Sequence, residues 1–319
     1  MKNVLLILDI PSYIWYTREI LNASMLFVLN LHKNKYHDRE LAKEELKALF
    51  YDYDFTLPTT GPLMDQKGTM WIDISDSYVE VVKDRFNRLG FIEKVSYLEK
   101  TDTGQIKWKG ENYSLIKVFD DTLDNAEKLS FKQKKRLALL EKTKFEMKLF
   151  QTEDERNPLA GLKDLPTADA KLLINLVYIK KDQVFLDPFA GIGSIVIEAL
   201  NAEYLTMSSD VEPKLKPGLM TIGSKHKVTD TKELTNDTSS IDAIATELPF
   251  SPKVKTLIYK WMMEMTRVLK PKGKLAIMCT YSQSVIIKRV MKNMELNFSI
   301  ETKRGSKKVQ VMLFTKKAF

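Results

Sequence analysis

The pattern of apolar and polar residues in the first half of the chain mixes two periodicities. Apolar runs such as "ASMLFVLNL" and "TMWIDIS" predict strands, and they alternate with segments of helical pattern. In "RELAKEELKALF", residues 39–50, the leucines Leu41, Leu46 and Leu49 stand at helical spacing among charged residues. This mixture predicts a small α+β unit over residues 1–150.

Residues 151–319 alternate more regularly between strand and helix signals. Apolar runs predict strands that end at Asp187, Asp210 and Glu247, with helical patterns after the first and the third. Such alternation predicts a parallel, doubly wound α/β sheet that binds ligands at the carboxyl ends of its strands. The last two apolar runs flank Gly305 and predict a terminal antiparallel hairpin, which is typical of a Rossmann-like methyltransferase sheet.

The charge balance is basic, with 50 lysines and arginines against 42 aspartates and glutamates and a net charge of +8. An excess of this kind favours a polyanionic partner such as nucleic acid. Residues 130–150, "SFKQKKRLALLEKTKFEMKLF", concentrate lysines in a helical pattern. Two interpretations stay open, a solvated helix face over an apolar core or a linker that follows a phosphate backbone.

Cysteine and histidine usage excludes a disulfide and disfavours a zinc site. Cys279 is the only cysteine, so no intramolecular disulfide can form, and one cysteine with three scattered histidines comes close to excluding a zinc cluster. The opening "MKNVLLILDI" carries Asp9 in its apolar run and lacks a small-residue cleavage site, so it makes a poor signal peptide. No apolar run approaches the roughly 20 residues that span a bilayer. We therefore expect a cytoplasmic protein with no metal and no membrane partner.

The segment "DPFAGIGSIVIEA", residues 187–199, carries the strongest signal for a ligand site. Gly191 and Gly193 allow a sharp turn and a close approach to a ligand, and the helix after them presents free N–H groups. A dinucleotide fingerprint would have glycine where this chain has Val196, and no Lys-Ser/Thr pair makes a phosphate loop. A ligand without phosphates fits better, and S-adenosylmethionine is the common one.

Three carboxylates complete the predicted cofactor site. Asp187 opens the glycine motif, and Asp210, at the end of the next strand, is placed to accept from both ribose hydroxyls. Asp230, in "KVTDTKEL", is a candidate acceptor for the adenine amino group; the alternative is a helix cap or a turn former. Glu198, in the second turn of the helix, is expected to be structural.

The glycine motif and the residues before it resemble known methyltransferases. "DPFAGIGSIVIEA" resembles the "DPFxGxGxxxxEA" motif of amino-group methyltransferases that act on nucleic acids. The lead-in "DLPTADAKLLINLVYIKKDQVFLDPFAG", with its Asn175-Leu176 pair, resembles that of the THUMP-containing tRNA guanine-N2 methyltransferases. The resemblance implies a THUMP-like RNA-binding domain over residues 1–150 and an S-adenosylmethionine-dependent methyltransferase domain over 151–319. Asn175 would brace the glycine loop or cap its helix.

The stretch "ELPF" stands where these families carry "DPPY" or "NPPY/F", and the resemblance assigns its four residues. Glu247 would accept a hydrogen bond from the target amino group, the Leu248 carbonyl would accept a second, Pro249 would stiffen the turn and Phe250 would stack on the base. The alternative is a loop that leads into the next helix, with Phe250 packed in the core. Because the carboxylate, proline and ring are all present, we predict a working pocket.

The resemblance implies transfer of a methyl group to an exocyclic amine of a nucleobase in RNA, most specifically guanine N2 in tRNA. A DNA adenine-N6 methyltransferase would use the same chemistry, and a non-catalytic RNA-binding protein with a degenerate methyltransferase domain is the alternative of another class. The partners expected are tRNA or another RNA, and a small activating subunit is left open. The basic charge disfavours a small-molecule substrate.

Overall fold

The computed structural model describes residues 24–75, 79–118, 165–304 and 307–318. The lysine-rich segment 130–150, the opening apolar run and the predicted domain boundary at residue 150 lie outside these ranges. We call the described residues up to 118 the N-terminal unit and those from 165 onward the C-terminal unit.

The N-terminal unit is a six-stranded antiparallel sheet with two helices. Its elements in chain order are β1 (Met25–Leu31), α1 (Arg39–Leu49), β2 (Phe55–Thr56), β3 (Thr69–Ile74), α2 (Val79–Arg88), β4 (Ile92–Lys100), β5 (Ile106–Trp108) and β6 (Glu111–Lys117). The strand order is β2-β3-β1-β4-β6-β5. The first four strands and the two helices therefore form the ferredoxin-like β-α-β-β-α-β arrangement.

Helix α1 follows the leucine pattern that predicts it. Leu41, Leu46 and Leu49 are each 0% exposed and belong to the main hydrophobic core, while Glu40 and Lys43 form an ion pair of 2.8 Å on the other face. The amphipathic interpretation of this segment is confirmed.

The C-terminal unit is a seven-stranded sheet with flanking helices. Its elements are α3 (Thr167–Leu176), β7 (Val184–Asp187), α4 (Ser194–Asn201), β8 (Leu205–Asp210), α5 (Lys216–Thr221), β9 (Lys225–Val228), β10 (Ile241–Glu247), α6 (Ile258–Val268), β11 (Leu269–Thr280), α7 (Tyr281–Val290), β12 (Met294–Arg304) and β13 (Lys307–Lys316). The order is β12-β13-β11-β10-β7-β8-β9. Strands β7 to β11 pair in parallel and β13 pairs antiparallel with β11 and β12, as the alternation and the terminal hairpin predict.

The strand order places the predicted carboxylates at one edge of this sheet. Strands β7, β8 and β10 end at Asp187, Asp210 and Glu247, which are the predicted strand ends. The order reverses between β7 and β10, since β8 lies on one side of β7 and β11 on the far side of β10. In open α/β sheets the crevice beyond such a reversal is where ligands bind.

The two units share one hydrophobic core and a buried polar contact. Phe27 of β1 and Phe185 of β7 belong to the same cluster of buried apolar side chains. The side chain of Asn175, 1% exposed, donates from Nδ2 to Glu45 Oε1 (2.7 Å) and to the Arg88 carbonyl (2.8 Å). Asn175 therefore joins the C-terminal unit to the N-terminal one, a contact that neither predicted role anticipates.

No helix in the described part of the chain is long and apolar enough to cross a membrane.

Candidate active site

The loop after β7 is shaped by its two glycines. Gly191 has φ +49° and Gly193, the N-cap of α4, has φ +96°, a left-handed region that side-chain-bearing residues seldom adopt. A methyl group built on Gly191 would meet no heavy atom within 4 Å. The backbone of this loop therefore faces open space, as the sequence motif predicts for a ligand-binding turn.

Asp210 braces the glycine loop. Its Oδ2 accepts a hydrogen bond from the Gly191 N–H over 2.9 Å, and its Oδ1 accepts one from the Glu212 N–H over 3.0 Å. The carboxylate is half-buried, and each of its oxygens keeps lone-pair capacity for a further donor. The structure thus brings Asp210 to the glycine loop, where a ligand hydroxyl can be bound.

Asp187 is an internal brace rather than a contact surface. It is 1% exposed, and its Oδ1 accepts from Thr246 Oγ1 (2.7 Å) and from the Phe189 N–H (3.2 Å). Burial raises the pKa of Asp187 to about 7, and the nearby Asp210 and Glu247 act in the same direction. The side chain therefore fixes the loop from behind, and its protonation state changes close to neutral pH.

Asp230 forms the cap that the sequence left as an alternative. Its Oδ1 accepts from the Lys232 N–H over 3.0 Å at the start of a short 3₁₀ turn, Thr231–Glu233. Although burial acts in the opposite direction, hydrogen bonds from Lys232 hold the pKa of Asp230 below its ordinary value. The turn reaches the site, because Thr231 Oγ1 donates to the Pro188 carbonyl over 2.7 Å.

The "ELPF" segment has Leu248 where the motifs it resembles have their first proline, and the contacts of Leu248 account for this difference. The Leu248 N–H donates to the Met278 carbonyl over 2.9 Å, a bond that a proline at this position lacks. The Leu248 side chain is 1% exposed and packs in the core of the sheet with Leu186 and Trp261. Leucine therefore extends the pairing of β10 with β11 beyond Glu247 and adds buried apolar surface.

The rest of the segment is fixed by α7. The Pro249 carbonyl accepts from Gln283 Nε2 over 2.7 Å, and Gln283 also completes the capping box of α7 with Thr280. Phe250 is half-buried against the main core, and Lys307 Nζ lies over its ring, 5.8 Å from the ring centroid. Gln283 and Lys307 were not predicted as site residues.

Glu247 has a partner that the sequence motif does not contain. Arg304 Nε donates to Glu247 Oε1 over 3.1 Å, and the two side chains are only 13% and 20% exposed respectively. Burial raises the pKa of Glu247 above its ordinary value, although the Arg304 guanidinium opposes this shift. The arrangement holds one oxygen of the Glu247 carboxylate at the carboxyl edge of the sheet.

Arg304 reaches Glu247 because the terminal hairpin overhangs the site. The last residue of β11, Thr280, pairs with Val309 of β13, so the hairpin continues past the carboxyl edge of the sheet. Arg304 pairs with Lys307 in that overhang. No local sequence signal predicts the contact of Arg304 with Glu247. The contact forms because β12 and β13 extend beyond the end of β11.

Among the described residues, no group of three or more histidines, cysteines, aspartates or glutamates is arranged to hold a metal ion.

Comparison with known proteins supports the fold. The sequence matches no family model and no curated protein. The structure is similar to TrmN from Thermus thermophilus, with a TM-score of 0.51 and 14% identity over 92% of this chain and 99% of that chain. It is also similar to a SAM-dependent methyltransferase from Methanosarcina mazei (TM-score 0.40, 16% identity, 44% of this chain and 96% of that chain). A third similar structure is geranyl diphosphate C-methyltransferase from Streptomyces coelicolor A3(2) (TM-score 0.39, 11% identity, 47% and 76%).

The chain therefore has an α/β fold with a Rossmann-like methyltransferase sheet, a C-terminal antiparallel hairpin and a smaller α+β unit before it. The similarity to TrmN extends over 92% of this chain.

Proposed function

We propose that this chain is an S-adenosylmethionine-dependent methyltransferase that modifies an exocyclic amino group of a nucleobase in RNA. One observation carries the proposal. Glu247, held by Arg304 at 3.1 Å, stands at the carboxyl end of β10 beside Phe250, across the strand-order reversal from the glycine loop. A carboxylate and an aromatic ring next to a ligand-binding turn are groups that can orient the amine and stack on the base in such a reaction.

The glycine loop and Asp210 suit S-adenosylmethionine. Open space beside Gly191 admits an amino-acid or nucleoside group against the backbone, and Asp210 supplies acceptor oxygens for hydroxyls at the end of the neighbouring strand. Gly193 begins α4, whose first N–H groups point to the same edge. When bound, S-adenosylmethionine supplies an electrophilic methyl group. Asp187 supports this loop by accepting from the Phe189 N–H, and Asp230 caps the neighbouring turn by accepting from the Lys232 N–H.

Glu247 would prepare the nucleophile. The lone pair of an exocyclic amine is delocalised into the base, so the amine attacks poorly until its protons are directed at acceptors. One oxygen of Glu247 and the Leu248 carbonyl oxygen would each accept a hydrogen bond from the amine. These two bonds favour the pyramidal, nucleophilic form of the amine. Pro249, whose carbonyl is tied to Gln283 at 2.7 Å, keeps the segment rigid. The half-buried ring of Phe250 would stack on the base.

RNA is favoured as the substrate over DNA by the family resemblance, and the charge fits either polyanion. The net charge of +8 suits a polyanion. A base reaches a strand-end pocket only after it has been unstacked, and unpaired RNA bases meet that condition at least cost. On the resemblance, residues 1–150 would be the THUMP-like RNA-binding domain, residues 151–319 the methyltransferase domain, and guanine N2 in tRNA the acceptor.

The test is methyl transfer from labelled S-adenosylmethionine by the purified protein, with nucleoside analysis of the product. The acceptors are total tRNA from cells that lack the gene, ribosomal RNA and genomic DNA. Label in N2-methylguanosine from tRNA would support the full proposal. Label in N6-methyladenine from DNA would keep the chemistry and refute the substrate. Cofactor binding without transfer to any acceptor would favour the degenerate RNA-binding protein or a requirement for an activating subunit.

A further inference from the structure

The N-terminal unit contacts β12, the strand that carries Arg304, and α3, the helix whose Asp169 lies near Glu247. Asp38, the N-cap residue of α1, accepts on Oδ1 from Thr302 Oγ1 over 2.7 Å. Lys35, three residues earlier, places Nζ 2.5 Å from Asp169 Oδ1, in the first turn of α3. One short segment of the N-terminal unit thus contacts β12 and α3 together.

These contacts are buried, so they constrain both units. Lys35, Asp169 and Thr302 are 5%, 2% and 3% exposed. A buried ion pair that loses one partner leaves an uncompensated charge, which is strongly unfavourable. Lys35 also lies 4.2 Å from the centroid of the Phe91 ring, which fixes its direction further. The β12 strand is therefore held against the N-terminal unit at Thr302.

Thr302 and Arg304 lie two residues apart on β12. Side chains at this spacing project from the same face of a strand. The hydroxyl of Thr302 is bound by Asp38, and the guanidinium of Arg304 is bound by Glu247. The position of Arg304 at the site thus follows from a strand that the N-terminal unit holds two residues away.

The charged groups around Glu247 come from several elements. Arg304 of β12 attracts it, whereas Asp169 of α3 and Asp187 at the end of β7 carry or can carry like charge near it. Lys35 neutralises Asp169 from the N-terminal unit. Without these two cations, a buried Glu247 would stand beside other carboxylates and would tend to bind a proton.

We propose that Arg304 is a positioning residue for the Glu247 carboxylate and that the N-terminal unit sets its position through Asp38 and Thr302. This inference rests on the proposed function for its catalytic meaning, while the positioning itself does not depend on the reaction. The N-terminal unit then contributes to the electrostatics of the proposed site through the position of Arg304.

The experiment uses the full-length protein and has two readouts. The first is the titration of the Glu247 carboxyl carbon, followed by NMR on glutamate-labelled protein, with Glu247→Gln to assign the signal. The second is methyl transfer as a function of pH, with the turnover rate and the substrate KM measured separately. Both are applied to Arg304→Gln, Arg304→Lys and Thr302→Val. Lys308→Gln is the matched control, since Lys308 is an exposed cation on the same hairpin, 2.8 Å from Glu301.

In Arg304→Gln we expect the Glu247 titration to move to higher pH, because the cation that favours the charged form is gone. The acid limb of the turnover profile moves the same way, and turnover falls about 10²-fold with the substrate KM within about twofold. Thr302→Val should move the titration in the same direction and by less. Lys308→Gln should change neither readout.

A wild-type titration of Glu247 in Arg304→Gln would overturn the positioning role, and a wild-type titration in Thr302→Val would overturn the part of the N-terminal unit. Should Arg304→Gln not fold, Arg304→Lys decides: it keeps the cation but loses the Nε contact, so turnover must fall with the titration near wild type. Wild-type protein that transfers no methyl group would refute the proposed function, and the titrations would still decide this inference.

Discussion

Thr246 Oγ1 donates a hydrogen bond to Asp187 Oδ1 over 2.7 Å, and this bond joins the ends of β10 and β7. These are the two strands between which the sheet order reverses. Both residues are buried, at 0% and 1% exposure. The two sides of the candidate site, the glycine loop and the "ELPF" segment, are thus tied at their base by one polar contact.

The buried Asp187 should make stability depend on pH in a defined direction. In an unfolded chain an aspartate titrates near pH 3.9, whereas burial raises the pKa of Asp187 to about 7 in the fold. Because the folded-state pKa is the higher one, the stability contributed by its proton is fully present below about pH 4 and is lost as the pH rises through 7. Asp187→Asn removes this dependence.

Denaturant unfolding of wild type and Asp187→Asn at about pH 5 and about pH 8 checks this expectation. The free energy of unfolding of wild type, relative to the variant, should decrease between the two pH values. Asp182→Asn, a substitution in an exposed turn before β7, is the control and should follow wild type. Equal pH dependence in wild type and Asp187→Asn would contradict the burial argument.

Loss of the Glu247 charge should stop catalysis without loss of the cofactor. Glu247→Gln keeps the size of the side chain but removes the anion that is proposed to orient the amine, so we expect turnover to fall by about 10²-fold or more. Binding of S-adenosylmethionine, measured by calorimetry, should stay within about twofold of wild type. Glu301→Gln, an exposed change on β12, should leave both unchanged. Undiminished turnover in Glu247→Gln would refute the mechanism.

Substitution of Asp210 should mainly weaken cofactor binding. Asp210→Asn weakens the acceptor for the Gly191 N–H and removes the charge beside the glycine loop. We expect S-adenosylmethionine affinity to fall by about 1–3 kcal/mol, the usual effect of losing a charged hydrogen-bond partner. Calorimetric titration gives the measurement, with Asp237→Asn, an exposed residue beyond the site, as the matched change. An affinity equal to wild type would remove Asp210 from the cofactor site.

Proline in place of Leu248, as in the "DPPY" motif that "ELPF" resembles, should destabilise this chain. Leu248→Pro removes the N–H that bonds to the Met278 carbonyl and a side chain that is 1% exposed in the core. We expect the free energy of unfolding to fall by about 3 kcal/mol or more. Leu248→Met keeps both the N–H and most of the volume, so it should cost less than about 1.5 kcal/mol. Chemical denaturation compares the two, and a tolerated proline would contradict the hydrogen-bond explanation.

Much of the fold could be predicted because its signals are local. The helix α1 follows from leucines spaced along one face, and the three strand ends follow from apolar runs that stop at a carboxylate. The glycine loop was predicted for a similar reason. Gly191 and Gly193 adopt positive φ, a conformation that only a few residue types favour, so the requirement is visible in the residue itself.

Other predictions about the site depended on contacts that a sequence does not display. The sequence could not decide whether Asp230 accepts from a ligand or caps a turn. A carboxylate that follows a strand has the same local sequence pattern in both cases. The structure gives the cap, with the Lys232 N–H at 3.0 Å. Asn175 pointed to the glycine loop by its place in a motif, yet its partner is Glu45, 130 positions earlier in the chain.

The sequence by itself determined where the strands end and which residues turn the chain, because periodicity and backbone conformation are properties of neighbouring residues. Only the tertiary structure decided the partners of the carboxylates. Arg304 meets Glu247 across 57 positions, and Thr302 meets Asp38 across 264. An ion pair or a buried hydrogen bond forms wherever two complementary groups are brought together in a dry interior, and the overhang of the terminal hairpin brings these groups together.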